Sequence, residues 1–140
     1  MVATIAMLIA GFGSVPLAMA MAPAVSAKGQ PVAAGAVTLA LESVDDGAID
    51  GNDVIVVTRV LVKVVGDSPV PADALPKLSL TAGARGMLYP EVSHSGTTDA
   101  AFQPNSEAVC IWTFKVPRVA YNRNTWMIRI GEKGSLMRLQ

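Results

Sequence analysis

Residues 102 to 117 read Phe102-Gln103-Pro104-Asn105-Ser106-Glu107-Ala108-Val109-Cys110-Ile111-Trp112-Thr113-Phe114-Lys115-Val116-Pro117, a polar turn feeding a strand whose alternate side chains are large and apolar. Successive side chains of a strand point to opposite faces, so Cys110, Trp112, Phe114 and Val116 share one face. Val109, Ile111, Thr113 and Lys115 share the other, and Lys115 marks the outer end. The first face is expected to form the core around which the rest of the chain is built. Pro117 stops the strand.

The strongest companion signal is Val54 to Val65. Val54, Val56, Thr58, Val60, Val62 and Val64 line one face, which is expected to point inward; Arg59 and Lys63 on the other face call for water on that side. A helix is disfavoured because β-branched side chains this dense are stiff at χ1. Val37, Leu39 and Leu41 alternate with Thr38, Ala40 and Glu42 as a half-buried first strand.

The remaining chain continues in short β segments. Prolines at 69, 71 and 76 hold a crossing loop in which Ala72 to Leu75 can make one helical turn. Leu78 and Leu80 form a strand, and Met87-Leu88-Tyr89 a short one ended by Pro90. Residues 92–101, with the single histidine His94, read as an exposed loop. Trp126, Ile128 and Ile130 alternate in a partner strand, a turn bounded by Gly131 and Gly134 follows, and Leu136 to Leu139 pair back. The fold class expected over 37–140 is all-β, an immunoglobulin-like antiparallel β-sandwich of about seven strands.

Between the first two strands lies Asp45-Asp46-Gly47-Ala48-Ile49-Asp50-Gly51-Asn52-Asp53, the most polar run of the chain. Placing Gly51 sixth in a calcium loop puts Asp46 first and Asp50 fifth, but Ala48 occupies the third position and Val57 the twelfth, where a bidentate Glu is required. The spacing fails, and a solvated loop is expected.

Met1 to Ala27 contains no charged residue, is broken by Gly11, Gly13, Pro16 and Pro23, and ends in the small residues Val25-Ser26-Ala27. This predicts an export signal over 1–27, cleaved after Ala27 or, secondarily, after Ala20. A retained membrane anchor is the rival reading, because a stretch of roughly 20 apolar residues spans a bilayer. Residues 28–36 are expected to be a linker. Export puts the domain outside the cell or in the envelope.

Eleven basic and eleven acidic residues balance, all of them beyond Ala27. They are unevenly arranged: residues 111–140 hold Lys115, Arg118, Arg123, Arg129, Lys133 and Arg138 against Glu132 alone. Neutrality argues against a nucleic-acid partner. Arg118, Arg123, Arg129 and Arg138 are the candidate partner-binding residues. Arg129, alternating outward, is expected to form a positive stripe with Arg138 that meets an envelope protein or an anionic membrane surface.

Catalytic constellations fail individually, so no catalytic residue and no enzyme activity is expected. A Cys110-His94 nucleophile pair requires a reactive thiol, whereas Cys110 shares a face with Trp112 and Phe114 and is expected to be buried and inert. Ser93 and Ser95 flank His94 outside any nucleophile-elbow sequence. No cofactor is implied. The weak metal candidates are His94, Met87 and Met127, which would serve a copper carrier.

The order of a Val-x-Leu strand, an acidic loop, a long Val-rich strand, a Pro loop and the Phe102–Glu107 turn leading to Phe114-Lys115-Val116-Pro117 resembles telokin-like, immunoprotective-extracellular domains of exported bacterial proteins. Asn105 stands where that family often has Gly, a replacement compatible with a left-handed turn residue. The resemblance implies an immunoglobulin-like fold and an envelope or extracellular location, with no catalytic residues. The function expected is non-catalytic: binding or supporting another envelope protein, with a small-ligand or metal carrier as the alternative.

Overall fold

The computed structural model describes residues 24–82, 86–96, 101–131 and 134–140. Twelve strands occur among them: β1 (Val25–Ser26), β2 (Val32–Ala34), β3 (Val37–Asp50), β4 (Asp53–Val64), β5 (Val70–Pro71), β6 (Leu78–Thr81), β7 (Leu88–Pro90), β8 (Ser93–Ser95), β9 (Ala101–Phe102), β10 (Glu107–Pro117), β11 (Met127–Ile130) and β12 (Leu136–Arg138). A single 3-10 turn, Ala72–Ala74, follows β5, where a helical turn was expected. One sheet runs β2-β3-β4-β10-β8, the second β1-β12-β11-β6-β7, and β5 pairs with β9 in a separate ribbon.

This order is that of an immunoglobulin-like sandwich. Taking β3, β4, β6, β8, β10, β11 and β12 as strands A to G, A-B-E-D form one sheet and C-F-G the other, with β7 extending the second sheet beyond C. All seven strands expected from the sequence are present, and five short ones add to them.

Side-chain alternation builds the core. On β10, Cys110, Trp112, Phe114 and Val116 are fully buried; on β4, Val54 through Val64 on the even positions are buried; on β3, Val37, Leu39 and Leu41. The second sheet answers with Leu78, Leu80, Ile128, Ile130 and Met137, and with Trp126 and Leu139 just beyond their strands. Antiparallel pairing sets Trp112 against Thr58, whose hydroxyl donates 2.9 Å to the Trp112 carbonyl, so the single polar side chain on that face of β4 is satisfied without water.

Three expectations are corrected. The acidic run 45–53 is not a loop: β3 continues to Asp50 and turns back through Gly51-Asn52 into β4. Its partner β4 buries one face from Val54 to Val64, and β3 follows it along its length by absorbing register shifts between Leu41 and Ser43 and between Asp45 and Ala48. Gly51 takes φ +61° at the first central position of the turn, the requirement of a type II′ hairpin. Next, the linker 28–36 contains β2, which pairs Val32–Ala34 with Val37–Leu39 and buries Val32. Finally, the exposed loop around His94 carries edge strand β8, paired to Ile111–Thr113. Of the export segment, residues 1–23 lie outside the described residues, whereas Val25–Ser26 form β1 on the edge of the second sheet.

Asn105 has φ +60°, the left-handed conformation expected of it, and Ser106 closes the turn by donating 2.7 Å to the Gln103 carbonyl.

Candidate functional site

Glu91 lies where the chain leaves β7 in the second sheet and enters β8 in the first. Its backbone N–H donates to the Leu78 carbonyl at 3.2 Å, and its carboxylate returns inward. Oε1 accepts from the Leu78 N–H at 3.2 Å and from Trp112 Nε1 at 3.1 Å, while Oε2 meets His94 Nδ1 at 2.5 Å. One carboxylate therefore joins β6 of one sheet to β10 of the other. With only 13% of its side chain exposed, Glu91 gains hydrogen bonds that offset its desolvation.

His94 is placed by cross-strand register: it sits opposite Trp112 and stacks on the indole with ring centroids 5.8 Å apart and planes inclined by 24°. The stack and the Glu91 contact together set the ring orientation, presenting Nδ1 to the carboxylate. Ser93 and Ser95 alternate to the opposite face of β8, so neither shares a face with the imidazole. Cys110 Sγ lies under Gly96, with full burial and no disulfide. Nδ1 is directed to Glu91, so the sequence-level Cys-His and Ser-His pairings do not form through that atom.

Two clefts meet at this crossing. One, about 450 Å³, is lined by Ala72, Asp73, Leu75, Pro76, Lys77, Glu91 and His94. The other, about 430 Å³, is lined by Leu78, Ser79, Leu88, Pro90 and Gly131 together with the same Lys77 and Glu91. The segment that contributes Leu88, Pro90 and Glu91 to these clefts also exposes apolar side chains: Met87 at 71%, Leu88 at 39% and Val92 at 60% exposure.

The metal candidates are dispersed. Met127 is on the face of β11 opposite Trp126, Ile128 and Ile130, so the second sheet separates it from His94. Met87 is four residues before Glu91 along extended chain, about 13 Å at strand rise. Among the described residues no three His, Cys, Asp or Glu side chains are grouped to hold a metal ion.

The basic stripe is also redrawn. Arg129 is buried at 8% exposure and cannot serve an outer surface. Arg123 is engaged with Asp46: Nε to Oδ2 at 2.9 Å and one terminal nitrogen to Oδ1 at 2.6 Å, with a further 3.3 Å contact to the Val44 carbonyl. Tyr121 donates to Asp46 Oδ2 at 2.8 Å and packs edge-on against Trp126, which stacks on Tyr89. Arg123 holds the Asp46 carboxyl below the usual carboxylate range, against the opposing effect of burial; Tyr121 contributes in the same direction as Arg123. Burial first, and the Asp46 hydrogen bond second, raise Tyr121 well above an ordinary phenol. This clip ties the β3 extension to the 118–126 connection. Arg118 and Arg138 remain exposed.

Glu91 was not singled out in the sequence, although a buried Trp112 implies an acceptor for its indole N–H. The acceptor sits 21 residues away, with no spacing rule to connect them. Asp46, Tyr121 and Arg123 were likewise separated by about 75 residues of chain.

No protein-family model and no curated protein matches this chain. Among solved structures it is similar to an uncharacterized β-sandwich protein from Clostridium difficile 630: TM-score 0.60, covering 83% of this chain and 92% of that one, at 7% sequence identity. At that identity the likeness is one of fold, and it agrees with the two-sheet arrangement described above.

Proposed function

We propose that this chain is a non-catalytic interaction module of the cell envelope, an exported immunoglobulin-like domain of the telokin-like type that binds or supports another envelope protein. The observation supporting this reading is the β7–β8 crossing, where the segment carrying exposed Met87, Leu88 and Val92 contributes Leu88 and Glu91 to two clefts and Glu91 anchors the crossing to Trp112. Short edge strands leave backbone groups open to an added strand, and neighbouring pockets receive its alternate side chains. Of the four arginines expected to meet a partner, Arg118 and Arg138 are the ones exposed to an acidic partner.

The test is site-specific photocrosslinking in the native envelope, with the reactive residue at Val92, at Leu88, or at Lys63 on the outer face of β4. A discrete adduct from Val92 and Leu88 but not from Lys63 supports the reading. No adduct at either Val92 or Leu88 removes this surface from the proposal.

A second reading, a metal carrier, rests on the orientation of His94 by Glu91, since metal-binding imidazoles commonly donate their other ring N–H to a carboxylate. The positions of Met87 and Met127 leave such a carrier without the methionine ligands expected for copper.

A further inference from the structure

We infer that the partner's contacting segment is an acidic peptide, whose carboxylate side chain enters the cleft lined by Ser79, Leu88 and Pro90 and pairs there with Lys77; this deepens the interaction reading above and rests on it. One feature of charge and one of shape lead there.

Lys77 stands on the linings of both clefts, and neither lining holds another lysine or arginine. It is exposed and makes no ion pair among the described residues. The backbone beneath it is fixed. Gly131 N–H donates to the Lys77 carbonyl at 2.8 Å, and the next N–H, that of Leu78, donates to Glu91 Oε1 at 3.2 Å. Glu91, the carboxylate common to both linings, already accepts from Leu78 and Trp112 with one oxygen and meets His94 with the other. The ammonium is therefore held at a set place in the fold with its pairing capacity unused, and an anion brought by a ligand supplies the missing charge-assisted hydrogen bond.

The other groups decide between the clefts. Asp73 lines the one that holds His94 and not the other, so a carboxylate meets a like charge in the first cleft and avoids it in the second. The second has Leu88 and Pro90 as apolar walls and the Ser79 hydroxyl as a hydrogen-bonding group on the same lining as Lys77. Ser79 and Pro90 face each other across the β6–β7 pair, and Leu88 is two residues along β7 on the same face as Pro90. Alternate side chains of an extended peptide lie on one face about 7 Å apart. An acidic residue at Lys77 and an apolar residue two positions away against Leu88 therefore suit one cleft of about 430 Å³. Arg118 and Arg138 lie on neither lining, so Lys77 is the cation that selects the residue.

A photoreactive residue at Val92, which is not part of this cleft's lining, reads its occupancy in the native envelope, and mass spectrometry of the adduct identifies the crosslinked segment. Support is an adduct on a protein segment containing Asp or Glu whose yield falls about fivefold or more in Lys77→Glu and stays within about twofold in Lys77→Arg. A smaller fall in Lys77→Glu, or a crosslinked segment without an acidic residue, overturns the inference while leaving the interaction reading in place. Arg138→Glu makes the same charge change outside both clefts and should lower the yield less; an equal loss would assign the effect to net charge and overturn the inference. Because Lys77 is exposed, its variants should melt with the wild type. A loss of yield seen only with a lowered midpoint, and not in a Lys77→Met chain of wild-type stability, also overturns it. A segment from a second copy of this chain, a lipid adduct, or no adduct at Val92 and Leu88 in the otherwise wild-type protein overturns both readings.

Discussion

Trp112 Nε1 donates to Glu91 Oε1 at 3.1 Å, and this one bond links β10 of the first sheet to the connection that leaves the second. The indole is fully buried, so its N–H depends on that carboxylate for a partner.

Glu91→Ala leaves Trp112 Nε1 and the Leu78 N–H without their acceptor and should destabilise the domain by about 3 kcal/mol, given about 1–3 kcal/mol for each orphaned buried donor. Glu91→Gln, which keeps one carbonyl oxygen, should cost less than half as much. Urea denaturation followed by tryptophan fluorescence measures both, and an unchanged midpoint for the alanine variant would rule out a bridging role.

Trp112→Ala should cost about 3–5 kcal/mol, as truncation of a buried aromatic does. Trp112→Phe retains the ring against the core and loses only the donor. Its smaller loss should be non-additive with Glu91→Gln in a double-mutant cycle, and simple additivity would show that the two side chains are not coupled.

A Cβ added at Gly96 would lie 2.5 Å from Cys110 Sγ, closer than van der Waals contact permits. Gly96→Ala should therefore destabilise by about 1–3 kcal/mol or lift β8 off β10. Cys110→Ala should rescue part of that loss. Amide exchange at Ser95 and Ile111 reports which of the two happens, and full protection with an unshifted midpoint would contradict the close approach.

The Asp46–Arg123–Tyr121 clip sets opposite pH limits. Asp46 titrates in the folded state below its ordinary 3.8, so its contribution is present above that value and fades as pH falls through the lowered one. Tyr121 is shifted the other way: its contribution is complete below the ordinary value of 10.0 and is lost as pH rises toward the raised one. In a Tyr89→Phe background, absorbance near 295 nm should show Tyr121 ionising at higher pH than a free phenol, and Asp46→Ala should lower its midpoint. An unshifted Tyr121 titration would mean that the clip is open in solution.

Incubation of the purified protein with Cu(I), followed by native mass spectrometry, should show no stoichiometric copper. One equivalent of copper lost on His94→Ala would establish the carrier instead.

What could be read in advance was whatever alternation encodes. Face assignment on 54–64 and on 109–116 follows from a period of two, and every inward residue predicted there is buried. The length of β3 was hidden because its acidic, glycine-bearing half looks like a loop; only its pairing along β4 reveals the strand. β2 was missed because Val32 is a single buried residue among small ones, too few to define a period. At the candidate site, His94 was visible as a residue type but not as a stacked, carboxylate-bound imidazole, because the contacts with Glu91 and Trp112 depend on which strands become neighbours. Arg129 alternated outward as expected and was still found covered, since alternation gives a direction and says nothing about what lies in that direction.

The pairing of β1 with β12 brings the neighbourhood of residue 25 onto that of residue 137, so the second sheet cannot be completed from partial chain. During synthesis the β3–β4 hairpin can form as soon as residue 64 emerges, because its contacts are local in sequence. The edge strand must wait for the last strand to be made. Until residue 138 has left the ribosome the polypeptide therefore carries an unfinished second sheet, and the last strand to be made is also the one that completes it.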